Sequence, residues 1–323
     1  MKPLRFLASL SLVAASLILT SDNQAQGLTG VATFSAVTYD NGADGPLVGP
    51  GFAFYDAAAN ELFVASPGNQ RIVVYDTSLS AKFSFPHYIK DKSGHGLVLG
   101  EPRAAVVNRR GEILVLDNLA DYIDVLDFRG SSLERIYPSR LLKDSTLKIH
   151  PELIALDKQD NIYLSVSGDI QAILILDENF EFKRKIISKG TPDAPDLPVS
   201  MAVMDSMIIL GDMQGKPVIR IYDTLGHYLS GFGGREIERT DFSLPVSIVP
   251  VTDSAGQHYF LVADALRQVI KLLDQNGQLV SMIGGYGAGL GAFQYPSGLA
   301  YGGMWTFFVV ERVGGRVQKF VLR

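Results

Sequence analysis

A repeat of about fifty residues constrains the fold of this 323-residue chain more than any other feature. Six segments open with a proline and a short apolar run, at Pro50, Pro102, Pro151, Pro198, Pro245 and Pro296, so the intervals are 52, 49, 47, 47 and 51 residues. Five copies also carry an aspartate after their third apolar run, namely Asp76, Asp127, Asp177, Asp223 and Asp274, at intervals of 51, 50, 46 and 51 residues. Two markers that keep one period predict a repeat architecture.

Each copy contains about four short apolar runs separated by turn residues. The second run is LFVA at 62–65, ILVL at 113–116, IYLS at 162–165, IILG at 208–211, FLVA at 260–263 and FFVV at 307–310. Glycine, asparagine or aspartate precedes most of these runs, which is typical of tight turns between strands. Six copies of four strands predict an all-β, six-bladed β-propeller of four-stranded antiparallel blades.

The ends of the chain predict how the ring closes. The sixth copy stops at Arg323 after its third strand, which would leave that blade without an outer strand. Residues 31–39 (VATFSAVTY) form a lone β-rich run upstream of the first copy. We expect this strand to pair with the last copy and hide the exposed sheet edge. The propeller domain should therefore extend over residues 27–323.

Residues 1–26 have the pattern of a secretory signal peptide. Lys2 and Arg5 precede an apolar run over residues 6–19, and a polar stretch with small residues follows. A short membrane anchor is the alternative, but fourteen apolar residues are few for a bilayer span. The pattern predicts an exported protein, periplasmic or extracellular, with no membrane span after cleavage of the signal.

The charge and the cysteine count exclude several functions. The net charge of −5 gives no electrostatic reason to expect nucleic-acid binding. Because the chain has no cysteine, it has no disulfide, no thiolate metal site and no Cys-x-x-Cys-His haem attachment. Stability must come from packing, and we expect no cofactor.

The best copies resemble a known repeat. Phe293-x-x-Pro296-x-Gly298-Leu-Ala, followed by FFVVE and by GRVQKF from Gly315, resembles the NHL repeat of six-bladed propellers. ELFVA at 61–65, followed by NQRIVVYD at 69–76, is similar to it as well. The resemblance covers residues 48–323 and implies the fold. It does not imply one reaction, because the family includes scaffolds, binding proteins and a few enzymes.

Motifs that would identify an enzyme are missing from the sequence. The tract GGYGAGLG at 284–291 lacks the Gly-Lys-Ser/Thr ending of a phosphate loop, so we interpret it as a tight connection between blades. No Gly-x-Ser-x-Gly elbow occurs, and Ser200, Ser247 and Ser297 are interpreted as small residues that suit crowded inner strands. The five histidines form no metal-binding pair; only His150 adjoins an innermost strand, and His87 is expected at a loop surface with His95.

Candidate binding residues gather on one face of the predicted propeller. In an up-and-down blade, the connection between blades and the turn between strands two and three emerge on the same side, and loops on a rigid scaffold often bind ligands. An acidic residue follows the second strand in four copies, and we call this set the acidic column: Asp117, Asp212, Asp264 and Glu311. We interpret these acids either as part of this face or as side chains that bond backbone donors in the turns. The candidates are Arg71, Arg103, Asp117, Tyr122, Glu152, Asp212, Asp264, Arg267, Glu311 and Arg316.

These observations favour an exported binding or scaffold propeller that presents this face to a protein or peptide partner in the cell envelope, without covalent chemistry. A solvated rim with local ion pairs is the alternative for any single residue. Two other functions stay open. One is a lactonase- or lyase-like enzyme with a divalent metal in the central channel. The other is a structural subunit of a cell-envelope or electron-transfer assembly.

Overall fold

The computed structural model describes residues 30–43, 45–91, 93–238 and 240–323, so the signal-peptide prediction for residues 1–26 lies outside it. The first strand is β1 (Ala32–Thr38). Blade 1 contains β2 (Phe52–Asp56), β3 (Glu61–Ser66), β4 (Arg71–Tyr75) and β5 (Ala81–Pro86), with a short 3-10 helix at Pro67–Asn69. A hairpin follows, β6 (Tyr88–Lys90) and β7 (Leu97–Leu99). Blade 2 contains β8 (Pro102–Val107), β9 (Ile113–Asp117), β10 (Ile123–Leu126) and β11 (Ser132–Ile136).

One helical turn, α1 (Pro138–Leu141), leads to the second half of the ring. Blade 3 contains β12 (Ile149–Leu156), β13 (Ile162–Gly168), β14 (Ala172–Leu176) and β15 (Phe182–Ile186). Blade 4 contains β16 (Pro198–Met204), β17 (Met207–Asp212), β18 (Ile219–Asp223) and β19 (Tyr228–Phe232). Blade 5 contains β20 (Pro245–Thr252), β21 (His258–Asp264), β22 (Val269–Asp274) and β23 (Leu279–Gly284). Blade 6 contains β24 (Pro296–Tyr301), β25 (Thr306–Glu311) and β26 (Arg316–Leu322).

The predicted closure of the ring is confirmed. β1 pairs antiparallel with β26, from Ala32 opposite Leu322 to Thr38 opposite Val317, and gives blade 6 its fourth strand. A bulge lies between Phe34 and Ala36 in this pairing. Because β1 covers the edge of β26, both ends of the described chain hold one blade together.

Hydrophobic packing between neighbouring blades makes the ring continuous. Each of the six blade-to-blade contacts has its own buried cluster, including the contact between blade 6 and blade 1, where Phe308 and Val310 meet Leu62 and Val64. The second and third strands of each blade are buried on both sides, which explains why most of their residues are apolar and do not alternate with polar ones. The exceptions include Asp124, Arg220 and Lys271 on third strands. Burying one such side chain fully stabilises the fold by about 1.5–3 kcal/mol.

The repeated aspartates are turn residues. In blade 1, Asp76 Oδ1 accepts hydrogen bonds from the backbone N–H groups two and four residues later, at 2.8 and 2.9 Å. The same pair of bonds recurs at Asp127, Asp177, Asp223 and Asp274. The residue three positions after each aspartate has a positive φ, such as Gly226 at 91°. These aspartates therefore define the turns between third and fourth strands and are not a binding motif.

Among the described residues, no helix is long and apolar enough to cross a membrane.

Candidate functional site

The face that carries the connections between blades is the candidate functional surface, and we call it the connection face. Backbone hydrogen bonds join each incoming connection to the turn between strands two and three of the next blade. Examples are Ala265 N–H to Leu244 O at 2.9 Å and Arg312 N–H to Tyr295 O, also at 2.9 Å. The prediction that these two sets of loops emerge together is therefore confirmed.

The acidic column lies beneath this face and holds the connections from below. Asp264 accepts backbone hydrogen bonds from Ser243 and Leu244, at 3.1 and 2.9 Å. Glu311 accepts one from Gln294 at 2.7 Å. In blade 4, Asp212 accepts backbone bonds from Asp196, Leu197 and Gln214 at 2.9 to 3.1 Å. The acids therefore satisfy backbone donors of the connections, not only those of the turns.

Polar side chains on the third strands of blades 4, 5 and 6 complete these contacts, whereas the third strand of blade 3 is apolar throughout. Lys271 Nζ lies 3.0 Å from Asp264 Oδ2 and 4.1 Å from the centroid of the Phe242 ring, and it donates to Asp241 O in the connection. Burial lowers the pKa of Lys271, while the charge of Asp264 opposes that shift. We call the buried acid and its cationic or amide partner a latch, because together they bind one connection.

The latches of blades 4 and 6 also pair the acid at the end of the second strand with side chains of the third strand. In blade 6, Arg316 Nε donates to Glu311 at 2.6 Å, and its guanidinium also donates to Ala288 O and Ala292 O, at 2.7 and 2.8 Å. Gln318 donates to Glu311 and to Ala292 O. In blade 4, Arg220 Nε lies 3.3 Å from Asp212 Oδ2. Register places Lys271, Gln318 and Arg220 at equivalent points of their third strands.

Blade 2 has a latch with reversed polarity. The equivalent third-strand residue is an acid, Asp124, and the cation comes from the connection as His87. His87 Nδ1 lies 2.7 Å from Asp117 Oδ2, while its Nε2 lies 3.5 Å from Asp124 Oδ2, as does Arg135 Nε. Burial works to lower the pKa of His87, but its contacts with Asp117 and Asp124 outweigh burial and raise it.

The prediction that His87 lies on a loop surface is therefore wrong. Its side chain is 1% exposed, because the β6–β7 hairpin folds back over blade 2. Tyr122 holds the same hairpin, since its hydroxyl accepts a hydrogen bond from Lys90 N–H at 3.0 Å. His95, in contrast, is exposed as expected. No sequence pattern pointed to a histidine latch, because blade 2 alone uses one among the described latches.

The ten candidate residues do not converge on one site. Six of them are buried and have no free surface to offer a partner: Asp117, Tyr122, Asp212, Asp264, Glu311 and Arg316. Four reach the surface: Arg71, Arg103, Glu152 and Arg267. Arg71 donates to Ser84 Oγ at 3.0 Å, and Arg267 donates to Ser243 Oγ at 3.2 Å. Of these four, only Arg103 and Glu152 contact each other, as an ion pair between blades 2 and 3, while Arg267 Nε also lies 3.9 Å from the buried Asp264 Oδ2.

A channel of about 980 Å³ runs through the ring and is lined by the first strands of all six blades. Its upper mouth, on the connection face, contains Arg103, Glu152 and Arg312, and Ser167 donates to Glu152 at 2.6 Å. Below it the lining is apolar, and the far end contains Lys158 and Tyr301.

The inner-strand serines join neighbouring blades. Ser200 Oγ donates to Pro245 O at 2.6 Å, and Ser297 Oγ donates to Pro50 O at 2.8 Å across the blade 6–blade 1 contact. Ser247 Oγ accepts from Leu299 N–H at 3.0 Å. These hydroxyls are small, as the sequence indicated, and they also hydrogen-bond from blade to blade, so none is poised as a nucleophile.

The donor set does not fit a catalytic metal. Within the described ranges, no group of three or more histidine, aspartate or glutamate residues could hold a metal ion. Glu152 is the one carboxylate among the described channel-lining residues, and it is already paired with Arg103. A divalent ion needs several oxygen or nitrogen ligands that converge.

Large apolar side chains project from the connection face over blades 5 and 6. Ile237, Leu266, Tyr286, Leu290 and Val313 lie in the connections and second turns there and are 57% to 88% exposed. The tract over residues 284–295 carries no charged residue. The sequence predicted a tight connection between blades here, and Gly284 and Gly291 both have a φ of 81°, which glycine adopts readily. We call these five side chains the apolar sector.

Solved structures support the fold. No protein-family model matches the chain, and no curated protein matches it either. A gluconolactonase from Xanthomonas campestris is similar, with a TM-score of 0.60 and 10% identity over 85% of this chain and 86% of that one. A streptogramin B lyase is similar as well, with a TM-score of 0.56 and 13% identity over 89% of this chain and 97% of that one. A protein of unknown function from Bacteroides thetaiotaomicron VPI-5482 has a TM-score of 0.60 and 14% identity over 90% of this chain and 76% of that one.

These neighbours establish a six-bladed propeller. At 10% to 14% identity they carry the fold alone, so neither lactonase nor lyase activity transfers to this chain. The assignment of the copies to the NHL repeat stays a prediction.

Proposed function

We propose that this protein is an exported binding propeller that holds a protein partner of the cell envelope on the apolar sector of its connection face. No covalent chemistry is involved. Export is inferred from the pattern of residues 1–26, and the partner is one with an apolar docking patch.

The observation that carries this proposal is the apolar sector itself. Isolated apolar side chains are normal on surfaces, whereas five large exposed ones on the loops of two neighbouring blades support an interaction site there. Tyr286 and Leu290 lie in an uncharged tract, and the core of a protein interface is depleted in charged residues and enriched in tyrosine. The uncharged tract over residues 284–295 gives no attraction to anionic lipid headgroups, which favours a protein over a membrane surface.

The latches explain how such a surface stays ready to bind. The Lys271 and Arg316 side chains hold the two connections that carry Ile237, Tyr286 and Leu290. Because these loops are fixed before binding, a partner loses less of its binding free energy to ordering them. A solvated rim would need no buried ion pairs beneath the connections that carry these side chains.

The proposal is tested with a triple variant, Ile237→Ser, Tyr286→Ser and Leu290→Ser, and a matched control on the opposite face. The control is Phe128→Ser, Leu225→Ser and Met304→Ser, which removes three exposed apolar side chains from turns of blades 2, 4 and 6. Tagged proteins are purified from the producing cells, and co-purifying chains are quantified after size exclusion. We expect one stoichiometric partner with wild type and control, reduced at least tenfold with the triple variant. Equal capture by all three proteins would contradict the proposal.

A lactonase- or lyase-like enzyme is the second candidate, supported by the gluconolactonase and lyase among the similar structures. The channel residues described above do not assemble its metal site. Elemental analysis of the purified protein distinguishes the two candidates, since a stoichiometric calcium or zinc ion would favour the enzyme. A structural subunit of an envelope or electron-transfer assembly would instead appear as a permanent complex in the co-purification.

A further inference from the structure

We propose that the central channel is a second binding site, separate from the apolar sector, and that it takes an amphiphilic carboxylate. The apolar chain of the ligand lies in the channel, and its carboxylate lies at the upper mouth against Arg312. The volume, lining and charge distribution of the channel carry this inference.

The size and lining of the channel suit an apolar chain. Its volume of about 980 Å³ lies at the upper end of the range of roughly 300–1,000 Å³ for small-molecule sites. Phe52, Leu153, Val246 and Leu299 contribute apolar side chains from four blades. Ser200, Ser247 and Ser297 of the lining already donate or accept hydrogen bonds between blades, and Ser167 donates to Glu152, so the shaft has few polar groups to offer a ligand.

Arg312 distinguishes the upper mouth. Among the described residues its guanidinium has no carboxylate partner, and its side-chain contact is with the Tyr295 ring, 5.8 Å from the centroid. Tyr295 itself has a φ of 60°, which is rare for a residue other than glycine, and its N–H donates to Gln268 Oε1 at 2.7 Å. The chain therefore holds an aromatic ring beside an unpaired arginine at the entrance.

The remaining charges of the channel are balanced. Arg103 and Glu152 form an ion pair at the upper mouth, and Lys158 at the far end pairs with Asp205 at 2.7 Å. The net positive charge of the lining therefore comes from Arg312. A guanidinium binds a carboxylate through two parallel hydrogen bonds, which makes a carboxylate the fitting head group.

The two ends of the channel provide the matched test. Isothermal titration calorimetry with decanoate, decan-1-ol and decyltrimethylammonium as probes is applied to wild type, Arg312→Gln and Lys158→Gln. We expect decanoate to bind wild type at least tenfold more tightly than either other probe. Arg312→Gln should weaken decanoate at least tenfold and leave decanol within twofold, whereas Lys158→Gln should change neither by more than twofold. A comparable loss in both variants, or no preference for decanoate, would overturn the proposal.

The position of the apolar chain has its own readout. Lengthening the carboxylate from eight to ten carbons should tighten binding about tenfold, because two more methylenes leave water. Ala155→Phe places a ring in the shaft and should abolish decanoate binding, with an unchanged melting temperature as the check that the ring remains folded. No dependence on chain length would overturn the assignment. Partner capture by the apolar sector is measured separately, so each proposal can fail without the other.

Discussion

Blade 6 and blade 2 both hold their incoming connection with buried charged side chains, but the cation comes from the third strand in blade 6 and from the connection in blade 2. In blade 6 an acid ends the second strand, and Arg316 on the third strand donates to it and to carbonyls of the incoming connection. In blade 2 the second strand ends with Asp117, the third-strand position that Gln318 occupies in blade 6 holds Asp124, and His87 in the connection supplies the positive charge. The first latch keeps its charges across the physiological pH range, because arginine does not titrate there. The second depends on a histidine.

This difference indicates which part of the connection face can respond to a change in pH. The connection that carries Tyr286 and Leu290 rests on Arg316, so it should be rigid at any physiological pH. The β6–β7 hairpin rests on a side chain whose charge changes near neutrality. Two parts of one face, with blade 1 between them, therefore hold their connections in a similar way and differ in whether pH controls them.

Arg316→Met should produce the largest effect. It leaves Glu311 buried without its cation and removes donors from Ala288 O and Ala292 O. Breaking a buried pair in this way costs about 3–5 kcal/mol of unfolding free energy, measured by chemical denaturation. Arg312→Met is the control in the same turn, where an exposed side chain should change stability by no more than about 0.5 kcal/mol. A small loss for Arg316→Met would mean that blade 6 does not depend on its latch.

His87→Gln should cost less, and its cost should depend on pH. The folded pKa of His87 is raised above its ordinary value of 6.5, so the protonated form is bound more tightly in the folded state. Its stabilisation is therefore complete below about pH 6.5 and is lost as pH rises through the folded pKa. We expect a deficit of about 1–3 kcal/mol at pH 6 that shrinks by pH 9.

The control for this prediction is His95→Gln, which alters an exposed histidine of the same connection. Its stability should follow wild type at both pH values. A deficit for His87→Gln that stays constant from pH 6 to pH 9 would show that His87 does not act through its charge.

The repeat markers and the latches differ in how far they could be predicted from the sequence. The fold followed from the spacing of the prolines and turn aspartates, because each marker has a local backbone role in its blade. Ring closure followed from counting strands in the last copy. The latches did not follow, although a charge inside an apolar third strand, such as Lys271 in VIKLLD, was a usable signal. Residues on the acidic column looked exposed in sequence because nothing local shows that a connection covers them.

The candidate site was harder to predict from the sequence than the fold, for a physical reason. Binding at the apolar sector depends on which loops lie side by side, and that is set by blade packing between residues far apart in sequence. Arg312 shows the same limit, since its position at the channel mouth depends on all six inner strands. His87 and Asp117 are thirty residues apart and have no shared motif.

Hydrogen exchange of backbone amides tests most directly the claim that buried latches hold the connection face. Protection is compared between residues 87–100, over the histidine latch, and residues 285–295, over the arginine latch, at pH 6 and pH 9. Rates are corrected for the intrinsic pH dependence of exchange. We predict that residues 87–100 lose protection at pH 9 while residues 285–295 keep theirs. Equal changes in both segments, or a loss confined to residues 285–295, would contradict the account.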